Sequence, residues 1–495
     1  MNDTSSEAEG NVANRSGVTA NVLYLAVATG IVGVSRFLTN WLIASVYGPQ
    51  EHGRFAVVFQ FISMVLVAAE LGMVMTYGVR QIALTAVRDR SGLPGVVNEL
   101  SGVLLAVHLL MAAALFVVAA PLGQWLGADG TLLRLAAVWL IGFGIYRLTI
   151  MVANGLEAMA YSTATTLLFY AVWMAWMTVS LRRQLPMDRL FAGWAVTLPV
   201  AAAACWLLLR PLLRRHGLRW RPRLTNPRRA MMMIAASLPF SLPLTGTLIL
   251  PGVVCVLLVR LNGSLEQVSY FQICFSLGIL ANLFAVPIAG AILPAVTRMI
   301  ARDAESNGPG GDGFDRARRL VRRGVTVICV VVTLPLAVYF WAGTWILSHV
   351  GNEYGSNATV LLIIATAVVF DAFRMIVDQL LMTTGHVRAV AWAEVGRFAV
   401  LIAAAWSVVP ASGARGVSMA LLLSTLVNFV IKLIMAQRFM RLHLWIEALA
   451  LVVGILVAGA AMRFGGATWA APMIWGLGVA YLAVTRRHGG ASSAG

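Results

Sequence analysis

Asp371, Arg374 and Asp378 lie in one apolar stretch and step by three and four, so a helix carries all three on one face. Charge of this kind is rare in hydrocarbon. A centrally placed Arg or Asp costs about 2.5–3.5 kcal/mol on insertion scales, and such residues turn towards a bundle interior, a wet cavity or a partner. Arg36 sits beside Ser35, Thr39 and Asn40 in another apolar stretch, Glu70 in a third and Arg147 in a fourth. The chemistry open to these side chains is proton or cation exchange at the carboxylates and phosphate recognition at the guanidinium groups. Each has two readings. Asp371 and Arg374 either neutralise each other or form a polar stripe along a central pathway, and the stripe is preferred because leucine would serve where no water is needed. Arg36 either lines that pathway or bonds neighbouring helices. Glu70 is either a proton-coupling carboxylate or the counter-ion of Arg36 or Arg147. Glu157, Glu394 and Arg397, near helix ends, read as solvated interface residues, and His108 as a satisfied core residue.

The elements that must position these groups are membrane helices. Of 495 residues 60% are hydrophobic and 12% charged, with a mean hydropathy of +0.83, whereas soluble chains average about 25% charged residues. Apolar runs of about 18–26 residues each match a hydrocarbon core of ~30 Å. They are apolar on all sides, as in 103–120, without the alternation of a membrane barrel. Helices are expected at 20–46, 55–78, 99–121, 132–153, 163–181, 189–209, 231–258, 269–295, 324–348, 357–381, 390–409, 415–436, 445–463 and 469–485. The fold class is an all-α membrane protein with about 14 transmembrane helices.

Most of the 37 Lys and Arg fall on one face of this plan, densest in 210–229 and 298–323. That face is read as cytoplasmic, with both chain termini on it. The net charge of +17 therefore reflects loop arginines rather than nucleic-acid binding, since no basic stretch lies in a soluble domain of its own. The loop 210–230 carries Pro211, Pro222 and Pro227 and separates the halves. The domain plan is a polar cytoplasmic tail at 1–19, a six-helix lobe at 20–230, a second at 231–440, and two further helices with a tail at 441–495. A weak repeat supports the two halves: each opens its second helix on a Glu followed four residues later by an aromatic, Glu51/Phe55 and Glu266/Tyr270. Pro199, Pro239, Pro243, Pro251, Pro287, Pro294 and Pro335 interrupt helices, the cluster at 238–246 makes the seventh helix either bendable or statically kinked, and residues 303–315 read as a flexible loop. Trp125, Trp341 and Trp345 read as interfacial anchors.

No cofactor or metal is expected, and no catalytic residue. There is no phosphate-binding Gly-x-x-x-x-Gly-Lys-Ser/Thr loop, and no His/Cys cluster has metal spacing. Cys205, Cys255, Cys274 and Cys329 stand singly in apolar runs and read as small core residues. The acidic N-terminal tail lacks the basic region of a signal peptide, so no cleavage is expected.

Ser35-Arg36-Phe37, the turn Gly48-Pro49-Gln50-Glu51-His52-Gly53-Arg54-Phe55, the step Ala69-Glu70-Leu71-Gly72 and the turn Gly351-Asn352-Glu353-Tyr354 resemble motifs of the Wzx-type polysaccharide flippases of the multidrug/oligosaccharidyl-lipid/polysaccharide (MOP) exporter superfamily. Tyr47 replaces the family's usual leucine, and His52 a frequent aromatic. The resemblance implies a MATE-like fold of two six-helix lobes around a cationic cavity, plus two peripheral C-terminal helices. It further implies alternating-access translocation of an undecaprenyl-diphosphate-linked oligosaccharide across a bacterial inner membrane for surface polysaccharide synthesis. The implied cargo-binding residues are Arg36, Asn40, Arg147 and Arg374. The candidate sites for H+ or Na+ coupling are Glu70, Asp371 and Asp378. Tyr146, Trp173 and Trp176 are available to stack on sugars. Membrane lipids, a polysaccharide polymerase and a chain-length protein are the implied partners. The rivals are a drug/cation antiporter of the same superfamily and a polysaccharide polymerase or ligase. The antiporter would favour acidic, aromatic walls over three intramembrane arginines, and the polymerase or ligase needs a long outer loop that is lacking here.

Overall fold

The structure, a computed structural model, describes residues 4–224, 226–282 and 312–440 with isolated positions from 444 to 455, and side chains from Leu23 onward. The helix expected at 469–485 and most of that expected at 445–463 lie outside the described residues. So do the end of the helix at 269–295, residues 298–311 of the basic segment, and Pro287 and Pro294; of the loop expected at 303–315, the part from Asp312 on is the start of a helix rather than loop.

The described chain is helical, with no strand among the described residues. Helix α1 (Thr4–Glu70) is two helices joined at Gly48, whose φ of 79° lies in the left-handed region. Glycine enters that region without a Cβ penalty, and Pro49 then opens the next helix with its φ preset. A π turn (Met73–Tyr77) leads into α2 (Gly78–Arg88). Then come α3 (Leu93–Leu126), α4 (Gly130–Gly155), α5 (Met159–Arg182) and α6 (Met187–Arg215). Beyond an extended linker lie α7 (Pro227–Leu248), α8 (Leu250–Asn262), α9 (Leu265–Gly278), α10 (Asp312–Ser348), α11 (Ala358–Thr383) and α12 (Val387–Met440). The last is again two helices, bent at Gly413 with φ 49°. Eight of these elements contain an apolar window long enough to cross a membrane. Eight such windows among the described residues make this a multi-pass membrane protein.

Local chemistry sets the ends. Asp129 accepts the Thr131 N–H and caps α4. Ser264 accepts the Gln267 N–H and caps α9. At the Gly413 bend the freed N–H of Ala414 donates to Gln267 Oε1 at 2.9 Å. An unsatisfied backbone group inside a bilayer would cost several kcal/mol by a rough count.

The helices gather into two compact units. The first holds the residues up to Ser35 together with Val58–Ile249, and the second holds Arg36–Val57 with the residues from Leu250 on. In the first unit α4 packs against α3, α5 and α6. Gly142 is bare because a Cβ there would come 2.8 Å from the Pro199 nitrogen, so α4 and α6 cross backbone to backbone. An aromatic core fills the centre, with Trp173 stacked on Trp194 at 4.3 Å and Tyr146 on Phe169 at 4.2 Å. Cys205, Cys255 and Cys274 are buried and unbridged. Trp125, Trp341 and Trp345 are exposed near helix ends.

In the second unit the two turns that look like a sequence repeat pack on each other. A Cβ at Gly53 would overlap the carbonyl of Leu265. Gly53→Ala should therefore destabilise the protein by about 1–3 kcal/mol, as overpacking does. Gly30→Ala, where nothing lies within 4 Å, should be neutral or stabilising by up to about 1 kcal/mol. Melting temperatures of both variants in detergent check this; equal melting would contradict the close approach.

Candidate functional site

The face of α11 that carries Asp371, Arg374 and Asp378 meets the two arms of α12, and six charged side chains close into one network. Arg374 Nε donates to Asp371 Oδ1 at 3.0 Å and Nη1 to Glu394 Oε1 at 2.8 Å. Asp378 also bonds Nη1 of Arg374. Arg397 Nη1 lies 2.9 Å from Asp371 Oδ1, and its Nη2 donates to Thr425 at 2.9 Å. Lys432 Nζ donates to the other oxygen of Asp378 at 2.5 Å. Asn428 Nδ2 donates to Glu394 Oε1 at 2.8 Å. No charged member is more than 5% exposed. Three carboxylates face three cations, so the ionised hexad is neutral.

The sequence places Glu394 and Arg397 among solvated residues, and the structure corrects this: both are buried centrally in the network. Helical spacing explains it. Glu394 and Arg397 step by three on the first arm of α12, and Thr425, Asn428 and Lys432 step by three and four on the second, so each arm turns one polar face to α11. Lys432 is absent from the residues expected at the site. Its signal is present in the sequence, since it is the chain's single lysine and sits mid-stretch among apolar residues.

Glu70 and Arg147 form a second centre in the first unit. Arg147 Nε donates to Glu70 Oε1 at 2.5 Å and Nη2 to Oε2 at 2.9 Å, a two-pronged fork. Of the roles open to Glu70, counter-ion of Arg147 is the one the geometry supplies. The Arg147 side chain stays 19% exposed. The chain breaks directly after Glu70: Leu71 has φ 49° and Gly72 φ 71° before the π turn. A left-handed leucine is strained by roughly 1–3 kcal/mol. His108 packs on Gly144 and donates from Nδ1 to the Leu104 carbonyl at 2.8 Å. Its Nε2 has no hydrogen-bond partner among the described residues, so it is only half satisfied.

Asn40 belongs to a third array. Its Nδ2 donates to the Arg36 carbonyl at 2.8 Å, and its Oδ1 meets His52 Nε2 at 3.2 Å. His52 Nδ1 meets Ser269 Oγ at 2.7 Å, which meets Tyr354 Oη at 2.7 Å. Three motif turns are thus stitched by one buried polar chain, and His52 does with a hydrogen bond what an aromatic would do by packing. Arg36 is partly buried on α1.

Two expectations change with these placements. Arg374 has carboxylate partners where a cargo phosphate is expected from the resemblance. Tyr146 and Trp173, 3% and 2% exposed, are core residues rather than sugar platforms. Trp176 donates its indole N–H to the Leu190 carbonyl at 3.0 Å and covers Gly193, so it too is engaged in helix packing.

No protein-family model matches the chain, and no curated protein matches it. Solved structures do. An inward-facing multidrug resistance MATE family transporter of the MOP superfamily superposes with a TM-score of 0.65 at 15% identity, covering 85% of this chain and 98% of that one. The lipid II flippase MurJ, inward closed, gives 0.68 at 10% identity, covering 94% and 99%. A MOP superfamily transporter from Pyrococcus furiosus gives 0.63 at 14% identity, covering 86% and 95%. The fold is that of MOP superfamily transporters.

Breaking the hexad by removing one partner should cost about 3–5 kcal/mol, because one buried opposite charge is left uncompensated. Lys432→Met should therefore lower the melting temperature in detergent markedly. Adding Asp378→Asn should recover much of that loss, and a double variant as unstable as the single one would contradict a coupled network.

Proposed function

We propose that this protein moves polyisoprenoid-diphosphate-linked oligosaccharide repeat units, with undecaprenyl as the lipid, across the bacterial inner membrane for surface polysaccharide synthesis. It does so by alternating access of its two halves, with both termini cytoplasmic. The observation that carries this reading is the extent of the fold match: the lipid II flippase overlaps 94% of this chain, the MATE transporters 85–86%. The turn and helix motifs around Arg36, His52 and Glu70 support the same family of cargo.

The physics is that of an anionic head that cannot cross hydrocarbon and a tail that need not leave it. Arg147 is the best-placed phosphate ligand. A guanidinium has five N–H donors, Glu70 takes two of them, and the side chain is still partly open. Arg36 and Asn40 are the further cargo-binding candidates, both in the second unit. Arg374, held by Asp371, Asp378 and Glu394, is proposed instead to take part in coupling. Asp378, shared between Arg374 and Lys432, and Asp371, shared between Arg374 and Arg397, are the proposed sites where H+ or Na+ binding would loosen one set of bonds. Glu70, already on Arg147, is released when a cargo phosphate takes its place. A polysaccharide polymerase and a chain-length protein would take the product on the far side.

The drug/cation antiporter is the second reading, favoured by the matches to MATE multidrug transporters. One assay separates the two. Full-length protein is reconstituted into vesicles carrying a fluorescent undecaprenyl-diphosphate oligosaccharide, and label exposed to an impermeant quencher is followed. The expected result is rapid exposure with wild type, a drop of about tenfold or more with Arg147→Ala by loss of charged hydrogen bonds, and no gradient-driven uptake of a cationic dye. Dye transport without movement of the glycolipid would establish the antiporter.

A further inference from the structure

The first unit carries a cavity of about 900 Å³ that none of the roles above uses. It opens where α2 ends and α3 begins, and its wall includes Gln81, Thr85, Arg88, Asn98, Arg223 and Arg229. The place matters. Leu93 is the first residue of a membrane-length apolar helix, so the mouth lies at the water-facing end of a span.

This wall is rigidly built. The linker after α6 is held against α3 by Asn98, whose side chain donates to the Arg219 carbonyl at 3.1 Å and accepts the Arg221 N–H at 2.6 Å. The Asn98 carbonyl accepts the Arg223 N–H at 3.1 Å. Trp220 donates to Ser101 Oγ at 2.9 Å, and a Cβ at Gly102 would collide with the Arg223 backbone. The clasp fixes Arg223 at the cavity without using its guanidinium.

Its charge is unevenly answered. Arg229 sits 3.0 Å from the buried Glu99. Asp89 turns its Oδ1 to Ser91 Oγ and to the Ser91 and Gly92 N–H groups, which hold its carboxyl below the usual range. The guanidinium groups of Arg88 and Arg223 have no hydrogen bond or ion pair among the described residues.

Behind the mouth lies a second recess of about 300 Å³, which shares Gln81, Val96 and Arg229 and continues along Leu100, Met232, Met233 and Ala236. Arg229 to Ala236 is about 10 Å of helix rise, so the order from the mouth inward is cationic, then apolar. Met232 on its wall and Met231 next to it are 64% and 65% exposed. A free phosphate would use only the first part of this gradient.

We propose that the groove between α2, α3, the linker and α7 binds an anionic phospholipid, its phosphate on Arg88 and Arg223 and its first acyl carbons along Met232, Met233 and Leu100. The site is independent of the cargo assignment. A lipid seated there would tie the linker and the first turn of α7 to the bilayer surface.

The test is native mass spectrometry of the full-length protein released from detergent after incubation with phosphatidylglycerol or phosphatidylcholine, with inorganic diphosphate as competitor. The expected result is retention of phosphatidylglycerol over phosphatidylcholine and a loss of about tenfold in Arg88→Gln/Arg223→Gln, equivalent to about 1.4 kcal/mol. Ala236→Trp, which fills the recess, should weaken the lipid while inorganic diphosphate fails to displace it from wild type. Equal retention of both lipids, unchanged binding in the double arginine variant, or full displacement by inorganic diphosphate would each overturn the proposal. The arginines are exposed, so the variant is expected to elute as wild type does.

Discussion

An ionised side chain in hydrocarbon must find its opposite. That constraint organises the second unit around α11 and the two arms of α12, where three acids and three bases share one set of hydrogen bonds. Burial of each charge is costly alone, and the continuum view holds that such clusters barely repay their desolvation against well-packed leucines. Their value then lies in specificity and in the capacity to exist in more than one bonded arrangement. Asp378 is the member best placed for that, being held by Arg374 on one oxygen and by Lys432 on the other. Protonating it would release both cations, and the remaining carboxylates would have to share them.

The first unit solves the same constraint differently. A single fork joins Glu70 to Arg147, and the helix that carries Glu70 is interrupted at the next two residues. A broken membrane helix is tolerated where protein or cavity water satisfies its freed groups; here the π turn does part of this, with the Tyr77 N–H donating to the Gly72 carbonyl at 3.1 Å. Strain beside an ion pair makes this segment a candidate hinge. The two centres differ in openness as well: the fork retains access, whereas the hexad is closed. That contrast is why cargo recognition is proposed for the first and coupling for the second.

Much of this is legible in the chain. All-round apolar stretches place the described helices, since backbone groups in lipid have no choice but to bond within a helix. Three- and four-residue steps place Asp371, Arg374 and Asp378 on one face. Partnership across helices is not legible in the same way. Glu394 and Arg397 sit near a helix end in the sequence, and only the approach of α12 to α11 buries them. Tyr146, Trp173 and Trp176 have the composition of a sugar platform, and it is packing against Phe169, Trp194 and Gly193 that turns them inward. Asn40, His52, Ser269 and Tyr354 join three motif turns that are far apart in the chain, and no periodicity reports such a contact. One cue does stand in the sequence, a lone lysine in an apolar helix.

The most direct measurement is infrared difference spectroscopy of the reconstituted protein as cargo is added, following the carboxyl and carboxylate bands. The expected result is a cargo-dependent change in carboxyl protonation that disappears in Asp378→Asn while the fold is kept. A spectrum in which no carboxylate responds to cargo, in a protein that still transports it, would show that the hexad is a static brace and that coupling lies elsewhere.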